Sequence, residues 1–356
     1  MMKPTSLLLL AALAMSSCSK DSASEIKPTE SSNQITSTVL ENEFTEIAYP
    51  DSRGTPTDIY YTGIKMAVEN IDGNYIYQGD ILIPMEQASK SPVKLVLEKG
   101  DKASQLKSVG RTSAYWEDNV VYYEIDSRLS GQDRVFDAIS HWEANTNLEF
   151  VKRAGQSDYI YFTPGSGCSS YVGKVGGKQN ITLANACSTG NTIHEIGHAV
   201  GLWHEQSRVD RDNHITINFE NIQSGREYNF QTYEENNLDG NEFTTNLDFG
   251  SIMMYSSYAF SKNGQPTITK NDGNIYSVQR TQLSNGDVTG INVMYPGSGG
   301  GGEGEEEQPE PEPNYINGEY YTISGVTVLR YNNLWYYNSG WRWRRVELID
   351  GFWYYA

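Results

Sequence analysis

The sequence predicts an α+β fold for the central part of the chain, followed by a small all-β module. Strand-like runs and helical patterns are mixed over residues 108–296, as in an α+β domain. The composition changes abruptly at residues 297–313, which are mainly Gly, Glu and Pro and predict an extended linker. Residues 314–356 are dense in aromatic side chains, a composition that favours β-strands.

Short runs of β-branched and aromatic residues predict four strands in the central domain. They cover 119–125, 148–151, 158–162 and 180–183.

Three helices are predicted in the same domain. Residues 134–145 carry apolar side chains at helical spacing. A second helix covers 192–200 and ends at Gly201, since glycine adopts the left-handed turn that often follows a helix. A third begins at Ser284, where Asp287 completes a capping box.

The first 17 residues have the pattern of a signal peptide. A lysine precedes an apolar run at 6–15 that is too short to cross a bilayer, and small residues lead to Cys18. This ending resembles the lipobox of bacterial lipoproteins, in which the cysteine is acylated after cleavage. The alternative is ordinary signal cleavage in which Cys18 has no role. Both interpretations predict export, and the first predicts a membrane-anchored lipoprotein precursor.

Residues 18–107 predict a polar tether followed by a weakly patterned segment. Residues 19–40 are rich in Ser, Thr, Glu and Asn without periodicity. Apolar residues cluster in an alternating pattern at 75–83, and so small a segment has little capacity for a large core of its own.

Charge and cysteine content narrow the function classes. A formal net charge of -18 argues against a nucleic-acid partner, because no basic stripe is available for phosphates. Cys168 and Cys187 are an even pair in an exported chain and predict a disulfide. Two free buried thiols are the alternative.

The main chemical motif is His-Glu-Ile-Gly-His-Ala-Val-Gly-Leu-Trp-His at residues 194–204. His194 and His198 are four residues apart, so on a helix they project from one face and can bind one zinc ion. The turn at Gly201 lets His204 return as a third ligand. Three histidines leave a coordination position open, which is typical of a catalytic zinc site.

Glu195 lies beside the first of these histidines and can act as general base for a zinc-bound water. The alternative is a helix with a merely polar face. Three of the five histidines fall in this window, and each has a geometric role, which argues against that alternative. His141 and His214 lie outside the pattern and are interpreted as ordinary structural or surface residues.

The extended motif resembles that of metzincin metallopeptidases, and two further segments resemble the astacin family. Residues 205–212 are similar to the signature after the third histidine. Residues 251–255, Ser-Ile-Met-Met-Tyr, are similar to the Met-turn, with Met254 in place of the usual histidine. The resemblance covers 108–296. It implies a zinc-dependent endopeptidase with a two-subdomain fold and an active-site cleft between the subdomains.

The resemblance also implies roles for individual residues. Met253 would form an apolar floor below the zinc. Tyr255 would be a switching zinc ligand that stabilises the oxyanion, and Glu205 would contact the mature N-terminus. The substrate backbone would lie along an edge strand containing Ser169, Ser170 and Tyr171. The family's usual second disulfide has no cysteines here.

Tyr-Gln-Gly-Asp at residues 77–80 resembles the Phe-x-Gly-Asp sequence of astacin precursors. The resemblance implies a zymogen in which Asp80 ligates the zinc until an activating protease cuts near 100–112. The mature enzyme would then be secreted or lie at the cell surface, and its substrates would be proteins or peptides. The alternative is an ordinary Gly-Asp turn at a strand end.

The C-terminal module contains two similar units, at 332–337 and 350–355, that predict hairpins. Its tryptophans could form a platform for a glycan or protein ligand; the alternative is that they pack a very small sheet. A different function class follows from the first interpretation, namely an exported binding or adhesion protein with a structural zinc site. Glu195 argues against it, since a structural zinc has no need of that carboxylate.

Overall fold

The structure is a computed structural model. It describes residues 46–61, 64–91, 96–97, 114–236, 238, 240–297, 315–323, 326–338, 340, 342–349 and 352–356. The predicted signal peptide, Cys18, the expected activation region and most of the linker lie outside the described residues.

The N-terminal segment forms a five-stranded antiparallel sheet with the order β4-β3-β2-β1-β5. Its strands are β1 (Thr55–Tyr61), β2 (Ile64–Ile71), β3 (Asn74–Tyr77), β4 (Ile81–Ile83) and β5 (Ala88–Ser89). The alternating pattern at 75–83 thus corresponds to β3 and β4. A further short strand, β6 (Val96–Leu97), belongs to another sheet.

One face of this N-terminal sheet completes its core with residues of the central domain. Ile59, Val68 and Tyr77 are fully buried in a cluster that also contains Val172 and Tyr233. The ring of Tyr77 lies edge-on to that of Trp203, with centroids 6.2 Å apart. The segment therefore buries its apolar face against the neighbouring domain, which explains how a chain of this size and composition is folded.

The central domain contains a second sheet with the order β10-β11-β9-β7-β8. Its strands pair in parallel except for β10, which is antiparallel to β11. The strands are β7 (Val120–Ile125), β8 (Glu149–Lys152), β9 (Tyr159–Thr163), β10 (Cys168–Ser169) and β11 (Lys178–Leu183). All four strands predicted from residue pattern are present with small shifts at their ends, and β10 lies at the start of the segment that the astacin resemblance gave as an edge strand.

Three α-helices occur within the described residues: α1 (Asp133–Asn145), α2 (Thr189–Ala199) and α3 (Asn285–Met294). Helix α1 connects the parallel strands β7 and β8 and packs on α2. Trp142 of α1 is fully buried, and its indole N–H donates to the carbonyl of Ile193 in α2 (3.1 Å). This bond satisfies the one polar group of a large core side chain. The predicted α+β class is confirmed.

Helix α2 begins three residues earlier than predicted, because Ser188 caps it. The Ser188 hydroxyl accepts from the backbone N–H of Asn191, and the Asn191 side chain accepts from the backbone N–H of Ser188. The predicted disulfide is confirmed: Cys187 precedes this cap and is bonded to Cys168 in β10. Cap and disulfide together fix the start of α2 against the edge of the sheet.

The second half of the central domain has less regular structure. It contains the two-stranded antiparallel pair β12 (Ile215–Ile217) and β13 (Ile268–Lys270). It also contains four of the six short 3₁₀ turns of the described residues, at Glu205–Ser207, Arg211–Asn213, Phe219–Asn221 and Glu227–Phe230. The other two lie earlier in the chain, at Met85–Gln87 and Glu117–Asn119.

Helix α3 begins with the predicted capping box of Ser284 and Asp287. The Asp287 carboxylate also accepts from the Ser251 hydroxyl (2.7 Å) and the Ile252 backbone N–H (2.9 Å). One buried carboxylate therefore connects the start of α3 to residues 251–252.

The predicted C-terminal β module is confirmed as an antiparallel meander. Its strands are β14 (Tyr320–Ile323), β15 (Val326–Tyr331), β16 (Leu334–Asn338), β17 (Trp343–Ile349) and β18 (Phe352–Tyr355). Strand β6 extends this sheet by pairing in parallel with β18.

Val326, Val328 and Val346 form the core of the module with Trp353 and Tyr355. Trp353 is 1% exposed and the ring of Trp335 packs edge-on against it at 5.8 Å. These contacts favour the packing interpretation for both tryptophans. None of the helices in the described part of the chain has the length and apolar character needed to span a bilayer.

Candidate metal centre

Helix α2 places the first two histidines of the motif on its buried side. His194 and His198 are both fully buried. Between them, Gly197 lies against Met253, where an added Cβ would be 2.9 Å from the sulfur. Glycine leaves room for the Met253 sulfur, which a larger side chain at this position would displace.

The chain turns sharply after α2, as the sequence predicts. Gly201 has a φ of 112°, and its N–H donates to the carbonyl of His198 (2.8 Å). The N–H of Leu202 donates to the carbonyl of Gly197 (2.9 Å). This left-handed turn ends the helix and brings His204 back beside the first two histidines.

Three histidines and one aspartate converge in the interior. Ligand atoms of His194, His198, His204 and Asp80 all lie within 4.8 Å of one another. The Asp80 carboxylate is 3.2 Å from Nε2 of His194, 3.3 Å from Nε2 of His204 and 3.7 Å from Nε2 of His198. The group can hold one metal ion.

Each imidazole is oriented by a partner on its other nitrogen. Nδ1 of His194 donates to the carbonyl of Ile252 (2.7 Å), and Nδ1 of His198 donates to the carbonyl of Leu202 (2.8 Å). Nδ1 of His204 lies 3.0 Å from Oε1 of Gln78. Carbonyl and amide oxygens only accept, so each ring carries a proton on Nδ1, and its Nε2, which has a lone pair in the neutral imidazole, faces Asp80.

Lone pairs from three Nε2 atoms and a carboxylate cannot satisfy one another. Nε2 of His198 and Oδ1 of Asp80 are buried without a hydrogen-bond partner in the described part of the chain. Burial lowers the pKa of His198 to about 4, so its imidazole is neutral at physiological pH. A cation at the centre fits this donor set, and three imidazoles with a carboxylate oxygen suit zinc.

Glu195 is fully buried next to the first histidine. Neither of its carboxylate oxygens has a hydrogen-bond partner among the described residues. Burial, together with the charges of Asp80 and Glu46, raises the pKa of Glu195 well above its usual range. An unpaired carboxyl group in such a place is costly for stability, which points to a functional role.

Tyr255 borders the centre but contacts the N-terminal segment. Its ring centroid is 4.6 Å from that of His204, and its hydroxyl donates to the backbone carbonyl of Gln78. Burial raises the pKa of Tyr255 well above its usual range, so the phenol is protonated and acts as a donor here.

The predicted substrate strand is occupied by the N-terminal segment. Ser170 donates its N–H to the carbonyl of Asp80 (3.1 Å), and Leu82 donates to the carbonyl of Ser170 (2.8 Å). Ile81 therefore forms a parallel bridge with Ser170. Tyr171 follows, partly buried, at the end of this contact.

Glu205 lies outside the four-residue group, beside a cavity of about 70 Å³. Its carboxylate accepts from the backbone N–H of Asp248 (2.9 Å) and is 3.7 Å from the Arg208 guanidinium. Burial outweighs both contacts and raises the pKa of Glu205 to about 7.

Sequence reasoning missed three residues around the centre: Gln78, Glu46 and Arg280. Glu46 accepts from both the Nε and Nη2 of Arg280, and from the Asn191 side chain (3.1 Å). Burial acts to raise the pKa of Glu46, but Arg280 and His194 outweigh it and lower that pKa. Gln78 could have been found from its place beside Asp80. The pattern around residue 46 contains no comparable signal.

His141 and His214 have local roles, as the sequence analysis interpreted them. Nε2 of His141 accepts from the backbone N–H of Leu283 (2.9 Å), and burial lowers the pKa of His141. His214 follows a 3₁₀ turn, and its backbone bonds to Arg211 and Asn271.

The helix with two histidines, the turn to a third and the buried methionine below them define a metallopeptidase of the zinc-binding class. The comparisons with known proteins then identify the family. The family model of astacin, peptidase family M12A, matches residues 108–296. The chain belongs to this family, whose metal is zinc.

Individual relatives show the extent of the similarity. Blastula protease 10 of Paracentrotus lividus is 39% identical over 231 residues, which are 62% of this chain and 38% of the relative. Zinc metalloproteinase nas-4 of Caenorhabditis elegans is 34% identical over 244 residues, 67% of this chain and 74% of the relative. The chain thus spans well under half the length of the first relative and about three quarters of the second.

Among solved structures, the chain is similar to high choriolytic enzyme 1, a hatching enzyme zinc-protease from Oryzias latipes. The identity is 33% and the TM-score 0.48, with 55% of this chain and 98% of that chain covered.

We expect the purified chain to bind one zinc ion, and His198→Ala to reduce zinc affinity by at least about 100-fold, because one of three imidazole ligands is lost. Zinc titration against a competing chelator measures the affinity. Glu195→Gln is the matched control on the same helix and should bind zinc nearly as the wild type does. Equal affinities for His198→Ala and wild type would show that the metal lies elsewhere.

Proposed function

We propose that this protein is an exported zinc-dependent endopeptidase that is made as an inactive precursor. The observation that carries the proposal is the convergence of three Nε2 lone pairs beside a buried, unpartnered Glu195. Three protein nitrogens leave room for a water or substrate oxygen in the fourth position. A purely structural zinc site would have no use for the adjacent carboxylate.

When bound, zinc polarises the scissile carbonyl and lowers the pKa of a water molecule. Glu195 takes a proton from the attacking water and passes it to the leaving amine. Its dry, unpaired position keeps it free for this role. Met253 supports the helix from below, because its sulfur fills the space that a Cβ at Gly197 would occupy.

Tyr255 and residues 169–171 complete the catalytic site once the N-terminal segment has left. The Tyr255 hydroxyl loses the carbonyl of Gln78 and can then turn towards the metal or donate to the oxyanion. Within the segment 169–171, the backbone N–H and carbonyl of Ser170 are the groups that now pair with Asp80 and Leu82. An extended substrate can bind there as an added strand.

Latency follows from the same contacts. Asp80 occupies the position that a catalytic water would need, at 3.2–3.7 Å from the three Nε2 atoms. Gln78 accepts from the Nδ1–H of His204 on the opposite side, and the Glu46–Arg280 ion pair holds the segment beside His194. These contacts support a zymogen in which the metal, its ligands and the substrate strand are all covered.

The proposed activation cut lies near 100–112, outside the described residues. It would free an α-amino group at the start of the 108–296 domain. Glu205 is a buried carboxylate with a cavity beside it, and an ammonium there would compensate its charge. Acylation at Cys18 would place the lipid on the N-terminal segment, so the cut would break the covalent link between the enzyme and the membrane.

We expect Glu195→Gln to abolish casein hydrolysis by the activated enzyme, with a loss of at least about 1,000-fold, because the proton acceptor is gone. Removal of zinc by a chelator should give the same loss, reversed by added zinc. Zinc content of the variant serves as the control. Unchanged biological activity of Glu195→Gln would instead favour the exported binding protein with a structural zinc site.

We expect Asp80→Ala to make the uncut precursor active, because the position on the metal becomes available to water. The assay is hydrolysis of a quenched fluorescent peptide by a precursor whose intact length is checked by mass spectrometry. Asp58→Ala is the matched control, since Asp58 lies on the same sheet, is exposed and pairs with Lys65. A latent Asp80→Ala precursor that gains no activity on short peptides would assign latency to the backbone contacts of the segment at Ser170 and not to this carboxylate.

We expect N-terminal sequencing of the active form to give a start within 100–112. Active enzyme that begins at Cys18 would contradict activation by removal of this segment.

In the processed enzyme, Glu205→Gln should lower activity several-fold, because the new amine loses its carboxylate partner. Equal activity of processed wild type and Glu205→Gln would remove Glu205 from the mechanism.

A further inference from the structure

The C-terminal module is connected to the N-terminal segment by backbone pairing. Strand β18 is the last strand of the meander, and β6 lies along its outer edge. The register pairs Trp353 with Val96 and Tyr354 with Leu97, in parallel. The other neighbouring strands of this sheet are antiparallel and are joined by short connections. Strand β6 (Val96–Leu97) differs from them, since it comes from a part of the sequence far from β18 (Phe352–Tyr355).

The outer edge of β18 is well suited to accept a strand. An edge strand presents unpaired N–H and C=O groups at regular spacing, and an extended peptide satisfies them by strand addition. Trp353 and Tyr355 lie on one face of β18 and are buried in the core of the module. The N–H of Ala356 donates to the carbonyl of Arg345 (3.1 Å), which holds the end of the chain against β17. Strand β18 is thus anchored to the module by contacts that do not involve β6.

The position of β6 in the chain gives this pairing a consequence. Residues 96–97 precede the proposed cut near 100–112, whereas β18 follows the catalytic domain. The cut therefore separates two strands that are paired in the intact chain. The same severed segment is also held in the cleft by Asp80, Glu46 and Glu69, the last through an ion pair with Arg226.

We propose that β18 is a docking edge for the N-terminal segment, and that it keeps the severed segment bound to the enzyme after cleavage. The inference rests on the proposed activation by cleavage. The severed segment would be held at two places, at β18 through β6 and in the cleft through Asp80, Glu46 and Glu69. If one of these contacts opens, the other keeps the segment at high effective concentration, so the open contact can form again. Cleavage and release are then separate steps, and release requires displacement or digestion of the segment.

The test uses the full chain with a specific protease site in place of residues 101–106, a tag at each end and the change Glu195→Gln, so that self-digestion plays no part. After complete cutting, the N-terminal tag is immobilised and dissociation of the C-terminal fragment is followed. The double variant Val96→Pro with Leu97→Pro removes the backbone N–H groups of β6. The matched control, Val96→Ala with Leu97→Ala, keeps them.

We expect the wild type and the alanine variant to dissociate at the same rate, and the proline variant at least about 10-fold faster. A proline variant that dissociates like the wild type overturns the proposal. Equal acceleration by alanine and proline also overturns it, because backbone pairing would then not be the cause. If the double proline variant aggregates, the single variant Leu97→Pro, with Leu97→Ala as its control, replaces it and should also dissociate faster than the control.

Failure of the proposed function would be seen separately. Dissociation is measured without catalysis. If the protein has no peptidase activity but the cut segment stays bound through β6, the proposed function fails and the docking edge is still supported. Separate assays test whether the enzyme is active and is inhibited by Asp80. If both hold and the chain with wild-type β6 dissociates as fast as the proline variant, the docking edge alone is refuted.

Discussion

The rest of the structure depends on the crowding of lone pairs at one buried point. Three imidazole nitrogens lie 3.2–3.7 Å from one carboxylate, an arrangement that a bound metal cation would stabilise in a dry interior. The disulfide, the cap at Ser188 and the turn at Gly201 all fix the helix that carries two of these groups. These local features therefore hold in place the side chains that would bind a metal cation.

The N-terminal segment shows how a small sheet becomes stable without a complete core. Its apolar face is buried only because the central domain contributes Val172 and Tyr233. Buried ion pairs such as Glu69–Arg226 add specificity of position more than net stability. The segment that completes its core on the central domain is thus also the segment that places Asp80 among the three histidines.

The sequence predicted the parts of the molecule whose signals are local. Histidine spacing, the glycine after α2 and the capping box of α3 are set within a few residues of one another, so pattern and structure agree there. Pairings between distant residues could not be predicted. Glu46 and Arg280 are 234 residues apart, and the pairing of β6 with β18 depends on backbone groups that every residue possesses. Ser188 was missed as a cap because its partner Asn191 is not the usual Glu or Gln.

The contacts of Asp287 have a consequence for how the site can move. One carboxylate fixes the first turn of α3 and the backbone of residues 251–252, and the carbonyl of Ile252 in turn orients His194. The backbone of residues 251–252, below the histidines, is therefore fixed by hydrogen bonds. Tyr255 lies three residues beyond it, so a change of partner by its hydroxyl would need only a rotation about side-chain bonds. Opening and closing of the cleft would then leave the ligand geometry unchanged.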